Sequence, residues 1–122
     1  MLRALLMVGI GGFFGSVARY GVKLLTDKFL PDGFPYATLI VNLLGCFIIG
    51  LLFGMVGNKQ IGNNTWLVFA TGFCGAFTTF STFALENNVL AADGQSNSAI
   101  VYTVISLVVG LLLCRLGMGL VR

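Results

Sequence analysis

The run Gly72-Phe73-Cys74-Gly75-Ala76-Phe77-Thr78-Thr79-Phe80-Ser81-Thr82-Phe83 decides how this chain is read. It lies within an apolar segment, about 66–90, long enough to cross a bilayer at about 20 residues per span. Gly72 and Gly75 lower helix propensity just ahead of a crowd of hydroxyls, namely Thr78, Thr79, Ser81 and Thr82. Short hydroxyl side chains compete for nearby backbone hydrogen bonds and favour caps and turns over helix interior. One reading is an unbroken helix whose Ser and Thr bond back to carbonyls and pack on a neighbour, as they commonly do in membranes. The other, favoured by the glycine pair and the alternation with Phe77, Phe80 and Phe83, is a helix that breaks between Gly75 and Thr79. It would restart near Phe80, inside the bilayer. Freed N–H and C=O groups at that depth must face protein or a water-filled cavity, and broken helices at the midplane build ion sites.

The rest of the chain has the composition of an integral membrane protein. Of its 122 residues 57% are hydrophobic and only 9% charged, with a mean hydropathy of +0.99. Four spans fit, at about 4–25, 36–56, 66–90 and 99–121, leaving short loops and no room for an extramembrane domain. The whole of 1–122 therefore reads as one all-α transmembrane domain. Met1-Leu2-Arg3 before an apolar run has the look of a signal peptide. The glycine-rich Gly9-Ile10-Gly11-Gly12 and the apolar pattern beyond Tyr20 favour a first span instead. Thr26-Asp27-Lys28 and the Pro31-Asp32-Gly33-Phe34-Pro35 turn form the first loop. Cys46, Cys74 and Cys114 fall in three different spans, which suits small buried hydrophobes and no disulfide framework.

Several function classes drop out on chemistry. There is no His, and the acidic residues are Asp27, Asp32, Glu86 and Asp93 alone, so zinc and di-iron sites and His-dependent catalysis lack their ligands and bases. The net charge of +3 is small and scattered, which gives nucleic acid no basic surface. Arg3, Lys59, Arg115 and Arg122 fall on the side of the termini, against Arg19, Lys23 and Lys28 opposite. Four against three chooses no orientation. Insertion both ways, with an antiparallel homodimer as the assembly, follows naturally.

What the spans offer at depth is hydrogen-bond donors without negative charge. Asn42 either bonds a neighbouring helix or lines a polar path, since an unpaired amide in hydrocarbon is costly. Tyr102, Ser106 and Gly110 recur every four residues and share one face of the last span. Phe80 and Phe83, three apart, could turn the positive edges of their rings toward a small anion. Arg19 is either a snorkelling interfacial anchor or a charge at a pore mouth that draws anions in. Carbonyls freed at a break suit a small hard cation. The residues alone lead to a small-ion pathway, more suited to an anion, in an oligomer.

Three motifs carry a resemblance. These are Gly11-Gly12-Phe13-Phe14-Gly15-Ser16-Val17-Ala18-Arg19-Tyr20, Asn42-Leu43-Leu44-Gly45-Cys46-Phe47, and the Gly72–Phe83 run itself. With them the sequence resembles the Fluc/CrcB family of fluoride channels over essentially its whole length. The resemblance implies a dual-topology antiparallel homodimer in the cell membrane, with two pores that move fluoride passively out of the cytoplasm and reject chloride. It implies Phe80 and Phe83 facing fluoride, Asn42 hydrogen-bonding in the same pathway, and Ser81, Thr82, Tyr102 and Ser106 along a polar track. Arg19 would stand at the vestibule. It further implies a structural Na⁺ at the dimer axis, held by the backbone carbonyls of Gly75 and Thr78. Glu86 matches an acidic position of the family. Gly110 stands where some relatives have a hydroxyl, so the length of the track is open. A four-span drug exporter would need a carboxylate deep in its first span, which 4–25 lacks. A non-transporting assembly subunit would explain the small-residue faces but not a broken third helix.

Overall fold

A computed structural model describes residues 1–121. Arg122, counted above among the basic residues on the side of the termini, lies outside the described residues. Among those described every regular element is helical and none is a strand. Helix α1 is Leu2–Phe29 and α2 is Tyr36–Gly57. Helix α3 (63–77) runs without interruption through Asn63–Trp66, a π-helical stretch Leu67–Cys74, and Gly75–Phe77. Helix α4 is Phe80–Ala92 and α5 is Ser96–Leu120. With α3 and α4 taken together, four helical segments among the described residues are long and apolar enough to cross a membrane. Leu5, Ile10, Phe14, Leu107 and Leu111 are among the many large apolar side chains left exposed on the outside.

The helices pair through glycine. Helix α1 packs along α3, and α2 along α5. A methyl at Gly11 would overlap the Val68 carbonyl, and one at Gly15 the Phe73 carbonyl; from the other side, one at Gly72 would lie 2.6 Å from the Val8 oxygen. In the second pair a methyl at Gly50 would run into the Cys114 carbonyl, while Gly117 sits against the Phe47 carbonyl and the Leu51 nitrogen. Side chains this small let backbones touch, which is where dispersion replaces the hydrophobic drive that lipid does not supply. Helix α4 then leans on α5.

Two boundaries differ from the sequence reading. Thr26-Asp27-Lys28, expected in a loop, form the last turn of α1. Nothing breaks the helix before Pro31, and Lys23 pairs with Asp27 one turn on at 2.6 Å. Gly72 and Gly75 were expected to weaken the third span, yet both keep helical backbone, Gly72 inside the π-helical stretch and Gly75 in the turn after it. The close approach of α1 is what requires Gly72 to be small. The first loop turns at Gly33, whose φ of +103° is a glycine conformation, and the α4–α5 turn does the same at Gly94 with φ +76°.

Candidate functional site

The site is built around two residues. Thr78 (φ −86°, ψ 158°) and Thr79 (φ −152°, ψ 119°) are extended, between the end of α3 at Phe77 and the start of α4 at Phe80. This geometry is compatible with the expected interruption of the third span. Hydroxyls manage both flanks. Thr78 closes α3 by giving its N–H and its Oγ1–H to the Cys74 carbonyl, at 3.0 and 2.9 Å. Thr79 caps α4, its Oγ1 accepting the Thr82 N–H at 3.3 Å and donating to Thr82 Oγ1 at 3.1 Å.

Asn42 of α2 supplies the tertiary clamp. Its Oδ1 accepts the Thr79 N–H at 2.8 Å and its Nδ2 donates to the Thr79 carbonyl at 3.1 Å. One amide thus satisfies both backbone groups of an extended residue at membrane depth, where each unsatisfied group is expensive. The same clamp has a consequence for α3. A continuing helix would direct the Thr79 N–H to the Gly75 carbonyl and the Thr82 N–H to the Thr78 carbonyl. Both N–H groups go elsewhere, so the Gly75 and Thr78 carbonyls lose their helical donors.

Three adjoining spaces surround this clamp. The central cavity, about 360 Å³, brings together Asn42, Gly75, Thr78, Phe80, Phe83 and Ser106. These are six of the positions singled out from the sequence, drawn from α2, α3, α4, α5 and the interruption. A second space, about 200 Å³, lies on the far side of Thr79 and holds Arg19, Lys23, Thr38 and Thr82. A third, about 290 Å³, shares Lys23, Thr38 and Thr82 with it and adds Asp27 and Glu86 beside the first loop. The second and third spaces adjoin through their shared residues, and the Asn42–Thr79 pair stands between the second space, which Thr79 lines, and the largely apolar central cavity, which Asn42 lines.

Within the central cavity Phe80 is 77% exposed, its ring tilted on Phe83 at 5.7 Å between centroids. Ser106 Oγ is buried and has no hydrogen-bond partner. A hydroxyl in that state is a donor in waiting, since burial without a bond costs free energy. Arg19 Nε is likewise buried and unpartnered in the second space. Tyr102 shares a helix face with Ser106 but lines none of the three spaces. It is fully buried against Leu90 and Ala99, takes the Phe83 ring edge-on at 5.1 Å, and donates from its hydroxyl to Glu86 Oε1 at 3.4 Å. It therefore sits behind Phe83. Ser81 is exposed, with its hydroxyl 3.4 Å from Thr79 Oγ1. Gly110 is buried, and a methyl there would stand 3.3 Å from Cys46 Sγ. That contact is a packing reason for a glycine at this point of the stripe.

The model of the family described as CrcB-like protein, Camphor Resistance (CrcB), matches residues 6–118. The chain belongs to that family. A curated relative from Azobacteroides pseudotrichonymphae genomovar. CFP2, named fluoride-specific ion channel FluC, is 43% identical over 118 residues, covering 96% of this chain and 94% of its own length. One of the same name from Prosthecochloris aestuarii is 43% identical over 98% of this chain and 93% of its own. Another from Campylobacter jejuni is 47% identical over 78% of each. This CrcB-like chain, with its four helices of spanning length, is a multi-pass membrane protein.

One residue of the route was missed from the sequence, and another, Thr79, was read only as a hydroxyl at the break. Thr38, buried on α2, lines both outer spaces of the CrcB-like protomer. Thr79 is the residue the clamp holds. Thr38 stands one turn before Asn42, so the helical period placed it on the same face. A lone Thr near a span's start gives no stronger signal.

Proposed function

We propose that this protein is a fluoride-selective channel that lets fluoride leave the cytoplasm passively, a transporter and not an enzyme. The observation that carries the proposal is the central cavity, where a partnerless buried Ser106 hydroxyl, the Asn42 amide and the rings of Phe80 and Phe83 share one space. Relatives bearing the name fluoride-specific ion channel support the choice of ion. Fluoride is small and holds its water tightly, so a pore must replace that shell with donors at close range. Ser106 Oγ–H and the second N–H of Asn42 Nδ2 supply such donors, and phenyl edges add the positive part of the ring quadrupole. A narrow apolar wall then excludes larger chloride. The outer spaces serve as a vestibule in which Arg19 and Lys23 raise the local anion concentration, with Thr82 next along the route. Ser81 and Tyr102 belong to the track at its edge, the first exposed and the second buttressing Phe83.

The assembly is an antiparallel homodimer with two pores. The balanced Lys and Arg count supports insertion both ways, and the 77% exposure of Phe80 supports a partner over this face. The Gly75 and Thr78 carbonyls suit a structural Na⁺ at the dimer axis, being neutral hard oxygens stripped of their helical donors. Bound there, Na⁺ would supply positive charge that ties the two interruptions together.

Fluoride efflux from proteoliposomes under a fluoride gradient tests the proposal, with chloride in parallel and Phe80→Ile as the variant. Fast fluoride loss, negligible chloride loss and a collapsed rate in Phe80→Ile are expected. Equal rates for the two anions would remove selectivity. No flux from well-folded protein would return the chain to the assembly-subunit reading.

A further inference from the structure

One ring of the first loop is tied to the rings of the central cavity, and the fluoride route leaves it unused. Phe34 is half-buried, whereas Asp32 and Gly33 just before it are exposed. The backbone fixes that inward turn. Gly33, at φ +103°, redirects the chain. Pro35 (φ −79°, ψ 64°) then forms an inverse γ-turn, in which the Tyr36 N–H donates to the Phe34 carbonyl at 2.8 Å. A ring set between two such constrained points loses little further freedom when it packs.

It packs on Tyr102 of α5. The ring centroids lie 5.6 Å apart with the planes crossing at 68°, an edge-on pair. Tyr102 is fully buried and meets Phe83 of α4 in a second edge-on pair, at 5.1 Å and 65°. Phe83 in turn lies 5.7 Å from Phe80. Phe34 and Phe83 both pack against the buried cluster of Leu90, Ala99 and Tyr102. The Tyr102 hydroxyl reaches Glu86 only at 3.4 Å, long for an O–H···O bond, so packing has more hold on this ring than that bond does.

We infer that Phe34 is a positioning residue for the pore: pressed on Tyr102 from the loop, it sets the angle of the Phe83 ring at the central cavity. The ring geometry stands on packing alone, while its consequence for transport rests on the channel reading. Close-packed interiors pass a displacement on, because few neighbours can absorb it. Without the Phe34 ring, Tyr102 gains room to tilt and Phe83 loses the surface it is set against. The direction in which Phe83 presents the positive edge of its quadrupole is then no longer fixed.

The test places 4-fluorophenylalanine at position 83 of the full chain and reads its fluorine-19 resonance in detergent. Fluoride efflux from proteoliposomes is measured beside it on the unlabelled chains. Phe34→Ala is expected to shift or broaden the resonance and to cut efflux about threefold to tenfold, the weight of one aromatic pair. Phe34→Leu takes its place where the alanine variant does not elute as folded protein, and is expected to act in the same direction. Phe34→Tyr keeps the ring and is expected to return both readings to the parent's. In a Tyr102→Leu background Phe34→Ala is expected to add nothing to either reading, and an undiminished effect there would overturn the path through Tyr102. A resonance that stays in place in the folded variants would overturn the proposal even with efflux reduced, since Phe34 would then act only on the outer space it also lines. A moved resonance with unchanged efflux would overturn its part in transport. Efflux absent from the parent counts against the channel reading, while the resonance still decides the packing.

Discussion

Removing the Asn42 side chain isolates what holds the interrupted span open. Asn42→Ala deletes the two hydrogen bonds that the amide makes to the Thr79 backbone, at 2.8 and 3.1 Å. At about 1 kcal/mol net for each, the local loss is about 2 kcal/mol. That corresponds to roughly a thirtyfold shift in the opening equilibrium, at 1.4 kcal/mol per decade. Polar contacts in membranes average less, about 0.6 kcal/mol, which sets a lower bound near eightfold for the pair. Hydrogen exchange at the Thr79 amide in detergent-solubilised protein reads this directly, because that N–H donates to Asn42 and not along the helix. Exchange at Thr79 is expected to accelerate between eightfold and thirtyfold. Amides in the middle of α5, such as that of Leu107, are expected to stay as they were. Asn42→Asp, which keeps the acceptor for the Thr79 N–H and loses the donor to its carbonyl, is expected to protect Thr79 better than Asn42→Ala. Unchanged Thr79 exchange in Asn42→Ala would refute the clamp and return Asn42 to a purely pathway role.

Three further outcomes follow from the packing and the polar inventory. Ser106→Ala removes a buried hydroxyl that has no partner, so thermal stability in detergent is expected to hold or rise, by up to about 1 kcal/mol, while fluoride efflux falls; unchanged efflux would show that the ion does not use this donor. Gly15→Val drives a side chain into the Phe73 carbonyl of α3 and is expected to cost about 1–3 kcal/mol or to abolish folded protein. Gly21→Val, with nothing within 4 Å, is the matched control and is expected to elute and melt as the parent does. Asp27→Asn breaks an ion pair whose side chains are 56% and 58% exposed, so its effect on melting is expected to stay within about 0.5 kcal/mol.

Much of the candidate site was legible because its signal is local. Hydroxyls crowded around phenylalanines are readable as a cap and an interruption, and Thr79 does cap α4 while Thr78 closes α3. Asn42, Phe80, Phe83 and Ser106 were singled out as polar or edge-presenting groups at depth, and one cavity collects them. Tyr102 was read as part of the same stripe as Ser106. On that stripe its phenol packs into the cluster with Leu90 and Ala99, where its large ring fills the space behind Phe83. Gly72 was read for its weak helix propensity. Its neighbours on α1 reveal that its size matters and its flexibility does not.

By itself the sequence determined that this chain is helical, that it crosses a membrane four times, and where the third crossing meets competition from its own side chains. Those properties depend on hydropathy and on groups within a few residues of one another, so no distant contact is needed to read them. Tertiary structure alone decided which partner answers that competition. Thr79 lies 37 residues from Asn42, and no periodicity links them. Only the close approach of α2 to the interruption, where the missing side chain of Gly45 leaves room for Thr78 Cγ2, brings that amide to that peptide. The same docking leaves Ser106 buried without a partner in the cavity between them, because packing is satisfied through volume while a hydroxyl needs an oriented neighbour.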